Sequence, residues 1–190
     1  MRTITIYPAG GVKKGNDERE KEKISWTEED MELFKQKLMP VKVNFIDPRY
    51  RNDSLLKDFT SFFGRDLMAV KVSDFIVVDA RQKRGIGVGQ EMLFAKMHKI
   101  PVISVAPRNS HYIKKAEYLG KEVSNYIHPF LYATSDAIVD DFEKAAEWIR
   151  DFLESPKEVK DISVTEKAIE EYMKKYMTED DPVSRVIKNG

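Results

Sequence analysis

The stretch Ser73–Pro107, SDFIVVDARQKRGIGVGQEMLFAKMHKIPVISVAP, constrains this chain more than any other. Phe75-Ile76-Val77-Val78 is a short apolar run that stops at Asp79, the pattern of a strand buried on both faces. Gly85, Gly87 and Gly89 follow, then a helical segment with Met92, Leu93, Ala95 and Met97, then a second buried strand, Val102-Ile103-Ser104-Val105. A strand, a glycine loop, a helix and a strand form the smallest unit of a parallel sheet, because parallel neighbours need a crossover. Ligands of such sheets bind beyond the carboxyl ends of the strands. The spacing predicts Glu91 in the first turn of the helix, at that edge.

At 190 residues the chain is long enough for one domain with a substantial core. Lys plus Arg and Asp plus Glu number 32 each, so the charge lacks the basic footprint of a nucleic-acid binder, and no nucleic acid polymer is expected as partner. The sequence has no cysteine, which excludes disulfides, thiolate nucleophiles and thiolate metal sites together. No apolar run approaches the length of a membrane span, and RTITIYPAG reads as a strand and not a leader. The expectation is a cytoplasmic protein without membrane contact.

Thr3 to Tyr7 is rich in β-branched residues and predicts the first strand. It runs into Pro8-Ala9-Gly10-Gly11, a turn that lets backbone N–H groups approach an anion. With Lys13, Lys14, Asn16 and Arg19 beyond it, this segment is either a polar-ligand loop or a solvated one. Thr27 to Leu38 predicts a helix, with Thr27 as N-cap, Asp30 three residues on, and Pro40 ending it. Val41 to Ile46 predicts a second strand and Asp47 to Tyr50 a turn, where Arg49, Tyr50 and Arg51 either line a pocket or lie on the surface.

Leu55 to Val72 predicts one or two helices interrupted near Gly64, with Leu67, Met68, Val70 and Val72 packing on the sheet. Asp66 beside them is either a boundary residue or an active-site carboxylate. Arg108 to Tyr112 forms a polar loop, Tyr126 to Leu131 a further buried segment, and Asp136 to Leu153 an amphipathic helix with the stripe Ile138, Phe142, Ala145, Ile149 and Phe152. Ser155-Pro156 divides a domain of residues 1–155 from an extension of residues 156–190 with one helix, Thr165 to Tyr176. The three histidines are scattered, none at metal-ligand spacing with a carboxylate, so neither metal nor cofactor is expected. Trp26 and Tyr112 either stack on a nucleobase or pack in the core.

A glutamate early in a helix is stabilised by the helix dipole, which is its bland explanation. The glycines before it do not have the GxGxxG spacing of a dinucleotide loop, and a carboxylate there would repel a pyrophosphate. That conflict favours a carboxylate facing a sugar, with the glycines leaving the substrate room.

The order FGRDLMAVKVSDFIVVDA, then GIGVGQEMLFAKMHKIPVISVAP, resembles the nucleoside 2-deoxyribosyltransferase family and its relatives, the 2′-deoxynucleoside 5′-phosphate N-hydrolases. Gly87-Val88-Gly89-Gln90-Glu91 is similar to their turn into the nucleophile helix, and IYPAGG to their opening strand; the likeness covers roughly Thr3 to Leu153. It implies a flavodoxin-like α/β fold, a three-layer sandwich around a central parallel sheet, here with a C-terminal helical extension. It further implies Glu91 as the nucleophile at C1′ of the sugar, Asp66 as the acid that protonates the departing base, and Tyr7 as the hydroxyl that orients the nucleophile. Gly10, Gly11, Asp79, Gly87, Gly89, Asn109 and Ser110 are the implied substrate contacts, Ser110 towards a 5′-phosphate. Relatives are dimers or larger, so a homodimer or higher homo-oligomer acting on a small nucleoside or nucleotide is expected, in nucleotide metabolism. One departure stands out: the position six residues before the nucleophile, Asp or Ser in the family, is Gly85. The alternative function is a catalytically inactive nucleotide-binding sensor or scaffold. A phosphoribohydrolase of the cytokinin-activating kind is disfavoured, because its Pro-Gly-Gly-x-Gly-Thr loop is absent.

Overall fold

Runs of β-branched and apolar residues bounded by turns give five parallel strands: β1 (Thr3–Ala9), β2 (Lys42–Phe45), β3 (Phe75–Asp79), β4 (Val102–Val105) and β7 (Ala137–Val139). The structure is a computed structural model that describes residues 2–11, 24–49, 54, 57–118, 120–178 and 182–189. The sheet order is β2-β1-β3-β4-β7. Counting only its own strands, that is 2-1-3-4-5, the flavodoxin-like order, with the topological switch point between β1 and β3. A separate antiparallel hairpin, β5 (Ile113–Tyr118) and β6 (Lys121–Ile127), projects from the connection between β4 and β7.

Side-chain alternation along the strands divides the core in two. Ile4 and Ile6 of β1, Phe75 and Val77 of β3, and Ile103 and Val105 of β4 face one layer, built from α1 (Glu28–Lys37) and α5 (Phe142–Glu154). Tyr7 and Ala9, Ile76 and Val78, and Val102 face the other, built from α2 (Phe59–Lys71), α3 (Ile86–Met97) and α4 (Pro129–Thr134). Two helices, α6 (Ser163–Lys175) and α7 (Pro182–Asn189), complete the chain. The three-layer flavodoxin-like sandwich with C-terminal helices is therefore the fold of this protein. No helix among the described residues is long and apolar enough to cross a membrane.

Several elements match their sequence signals closely. Both strands of the central unit stand where the apolar runs put them, every residue of each being buried. The Thr27 hydroxyl accepts from Asp30 N and the Asp30 carboxylate accepts from Thr27 N, the reciprocal capping box.

Other elements correct the sequence reading. α2 runs unbroken through Gly64, because the helix leaves that position open and Asp58 caps its start. Of its expected core residues Val70 is buried, whereas Met68 and Val72 are exposed. Tyr126 to Leu131 is not one buried segment; it joins the end of β6 to the start of α4, with Leu131 buried but Phe130 exposed. The helix expected from Asp136 begins at Phe142, capped by Asp141, and the residues before it form β7. The extension holds two helices in place of one, α6 leaving Ile169, Met173 and Tyr176 exposed. Lys13, Lys14, Asn16, Arg19, Tyr50 and Arg51 lie outside the described residues.

Candidate active site

Tyr7 stands near the carboxyl end of β1, paired in register with Ile76 of β3, which places it beside the switch point. Alternation turns its ring into the layer of α2 and α3, where the residue is 1% exposed. There its hydroxyl donates to Glu91 Oε1 at 2.7 Å. Glu91 is half-buried on α3. It lies in the second turn and not the first, because α3 already begins at Ile86 with Gly85 as N-cap. Glu91 is thus fixed by a side-chain donor from the neighbouring strand, and the helix dipole is not its explanation.

Asp66 approaches from α2. Its carboxylate charge acts on the Tyr7 hydroxyl, as does that of Glu91, so Asp66 lies within electrostatic range of the Tyr7–Glu91 pair. Burial above all, then the Glu91 charge and hydrogen bond, then the Asp66 charge, push the Tyr7 phenol far above its ordinary range; Arg65 opposes them. The phenol therefore remains a proton donor to Glu91 throughout the physiological range. Arg65 pairs with Asp66, its Nη1 donating to Oδ1 at 2.9 Å, while its Nη2 donates to the Asp47 carbonyl at 3.3 Å. Sequence reasoning missed Arg65. Its only signal was adjacency to Asp66 in Gly64-Arg65-Asp66-Leu67.

The remaining expected contacts are distributed differently. Asp79 is fully buried and paired with two guanidiniums: Arg81 Nε donates to Oδ1 at 2.8 Å, and Arg84 Nη2 lies 2.7 Å from Oδ2. Arg84 also donates from Nη1 to the Ile24 carbonyl at 2.8 Å, and the Arg81 guanidinium lies 4.7 Å over the Phe142 ring. These bonds make Asp79 the anchor of the β3–α3 loop. Gly10 is close-packed, since a Cβ there would lie 3.1 Å from Trp26 Cδ1 and 3.4 Å from Asp79 Cβ. Trp26 itself is core: its Nε1 donates to the Ala9 carbonyl at 3.2 Å and its ring meets Phe142 at 4.3 Å. Gly11 is the last described residue before position 24.

Gly87 and Gly89 belong to α3 and not to a loop before it, and a Cβ at either would meet nothing within 4 Å. The helix N-terminal to Glu91 is therefore bare on those sides. Asn109 takes a left-handed conformation, φ 65°, in the turn after β4. The Ser110 hydroxyl accepts from the N–H groups of Tyr112 and Ile113 at 3.4 and 3.3 Å, which starts the hairpin. Tyr112 Oη accepts from Arg84 N at 2.8 Å, so this ring too is a structural contact. No group of three or more metal-ligating side chains occurs among the described residues.

Compared with known proteins, the chain matches no family model and no curated protein. Among solved structures, the Clostridium botulinum CMP N-glycosidase BcmB is similar at 13% identity and a TM-score of 0.40, over 78% of this chain and 98% of that one.

Proposed function

We propose that this chain is an enzyme that cleaves the N-glycosidic bond of a (deoxy)nucleoside or its 5′-monophosphate through a covalent glycosyl-enzyme on Glu91. The observation that carries this reading is the Tyr7–Glu91 hydrogen bond beside the switch point of the sheet, supported by the charge of Asp66 acting on the same hydroxyl. A protonated phenol fixes one carboxylate oxygen and so sets the direction of the other group atoms. A carboxylate oxygen of Glu91 bonds to C1′ as the C1′–N bond breaks, and the bonding pair leaves with the base nitrogen. In its protonated form Asp66 passes a proton to the departing base, which leaves neutral, and reverts to the carboxylate that Arg65 pairs with. Water or a second base then attacks C1′, Glu91 departs as carboxylate, and the proton lost by the attacking group returns to Asp66. Positive charge at C1′ in both transition states is stabilised by the adjacent Glu91 carboxylate. The bare flank at Gly87 and Gly89 is read as the space through which the sugar approaches.

Self-association is part of the same reading. Phe59 and Phe63 on α2 and Ile86 and Leu93 on α3 are exposed apolar side chains, 84% for Ile86, on the two helices that carry Asp66 and Glu91. A homodimer or larger assembly covers them, which sedimentation velocity tests.

The decisive experiment incubates the protein with single nucleosides and nucleotides, with and without a second base, and follows free base by chromatography. Base release that disappears in Glu91→Gln, with the fold intact by circular dichroism, is the expected result. Exchange of bases identifies a transferase, and release to water alone a hydrolase. Undiminished release by Glu91→Gln overturns the mechanism, and binding without turnover by the wild-type chain points to a sensor.

A further inference from the structure

We propose that the β5–β6 hairpin, with Lys83 of the β3–α3 loop, forms a second ligand site that takes the phosphate and base of a free nucleotide, separate from the Tyr7–Glu91 centre. A cavity of about 540 Å³ lies against the hairpin, lined by His111, Lys114, Lys115, Glu117, Tyr126 and His128. Neither Tyr7, Asp66 nor Glu91 lines it.

Lys114 and Lys115 line this cavity with a single carboxylate, Glu117, and the charge of Lys83 from the neighbouring loop reaches His111 at its edge. His111 sits within electrostatic reach of Lys114, Lys83 and His128, all cations or potential cations arriving from three different segments. Lys115 is paired with Glu122 at 2.5 Å. No carboxylate of the described residues forms an ion pair with Lys83 or Lys114. Like charges held together by a fold repel one another, and an anion in their midst relieves that repulsion. A phosphate group suits the position, because it offers several acceptor oxygens and close to two negative charges.

The second half of the chemistry is aromatic. His111 and Tyr112 meet edge to face at 4.9 Å, Tyr112 and His128 at 5.5 Å, and Tyr126 and His128 at 6.5 Å. Of these rings His111, Tyr126 and His128 line the cavity, with Tyr112 as their structural support, and rings beside cations hold a nucleobase next to its phosphate without reading its hydrogen-bonding edge. The site is accordingly selective for nucleotides over nucleosides and tolerant of the base.

The titratable groups facing His111 are Lys83 on the β3–α3 loop, Lys114, Lys115 and Glu117 on β5, Tyr126 on β6, and Tyr112 and His128 at the hairpin's ends. Only the histidines change charge near neutral pH. Burial, then the cations around it, lower the affinity of His111 for a proton; an anion that offsets those cations favours its protonated form, so binding tightens as pH falls below the ordinary histidine range.

The three histidines make the test specific to the site. His98 caps the far end of α3 against Phe94 and serves as an internal control, its imidazole resonance assigned with His98→Gln. Proton NMR of the full chain titrated with adenosine 5′-monophosphate should shift the His111 and His128 resonances and leave His98 in place. Lys83→Ala combined with Lys114→Ala should weaken that binding about ten-fold or more, with base release from an unphosphorylated nucleoside unchanged. Tyr126→Ala should weaken the nucleotide and leave inorganic phosphate unaffected. The absence of any shift at His111 and His128 overturns the site. Equal binding of phosphate and nucleotide, insensitive to Tyr126→Ala, reduces it to an anion site and overturns the nucleotide assignment. A matching rise in KM for nucleotide cleavage in the lysine double variant assigns the cavity to the catalytic centre and overturns its separateness. The primary readout is binding at named histidines, so its failure is distinct from failure of the glycosidase reading.

Discussion

At the scale of single residues, Tyr7 joins stability to the proposed chemistry. Its phenol is held protonated by burial and by the charge of Glu91, whereas an unfolded tyrosine ionises near a pKa of about 10. A raised native pKa contributes stability that is complete below the unfolded value and is lost as pH climbs above it. Above pH of about 10 the unfolded chain releases a proton that the native chain keeps, so the unfolding free energy should fall by up to about 1.4 kcal/mol per pH unit. Tyr7→Phe should abolish that component of the slope in urea unfolding at pH 9 to 11. The same variant removes a hydrogen bond to a carboxylate and should slow base release about ten- to a hundred-fold. Gly10 gives a contrasting case. Its absent Cβ would press on Trp26, which is held among Phe34, Phe45 and Phe142 and cannot easily yield. Gly10→Ala should therefore cost about 1–3 kcal/mol in a denaturant titration. The meeting of Tyr7 and Glu91 was legible only through the family resemblance, which made the Tyr7 hydroxyl the group that orients Glu91. The choice of partners by Asp79 was not. Arg81 and Arg84 follow it closely in sequence, but only the folded loop turns both guanidiniums inward onto one buried carboxylate.

At the scale of elements, α3 shows what a glycine-rich stretch conceals. Gly85-Ile86-Gly87-Val88-Gly89 looks like a loop because glycine is a poor helix former, by about 1 kcal/mol against alanine. Tertiary packing overrides that preference: Val88, Met92 and Ala95 are buried on the sheet and carry the helix back through both glycines. Gly87→Ala and Gly89→Ala meet open space, so each should leave the melting temperature unchanged or raise it. If the sugar approaches there, each should also raise KM several-fold, and a KM-against-kcat comparison beside a thermal melt separates the two effects. β7 was hidden by the opposite cause. Ala137-Ile138-Val139 continues the 3.6-residue stripe of α5, and only Asp141, as N-cap, reveals the break. The hairpin escaped because its strands are exposed and lysine-rich, with no buried face to set a period of two.

At the scale of the molecule, the C-terminal extension is tied to the sheet by a buried node. Asp136 accepts from the Val102 N–H at 2.7 Å and from the Lys160 N–H at 2.8 Å, and forms an ion pair with Lys96. Burial lowers the affinity of Lys96 for its proton, and Asp136 works against that shift. Lys160 Nζ donates in addition to the Tyr132 and Ser135 carbonyls at 2.9 and 2.6 Å. A chain cut after Ser155 loses every Lys160 contact, and we expect it to be less stable by about 2–4 kcal/mol in a urea titration. Nothing in the sequence signalled this return to the sheet. The two outermost strands, β2 and β7, have four and three residues, one beginning with a lysine and the other followed directly by an aspartate. So little unpaired backbone makes the edges of the five-stranded sheet a poor template for cross-strand growth into fibrils. The exposed apolar side chains of α2 and α3 are therefore the expected route of aggregation on storage, which polar substitutions there should reduce and changes to the edges of the five-stranded sheet should not.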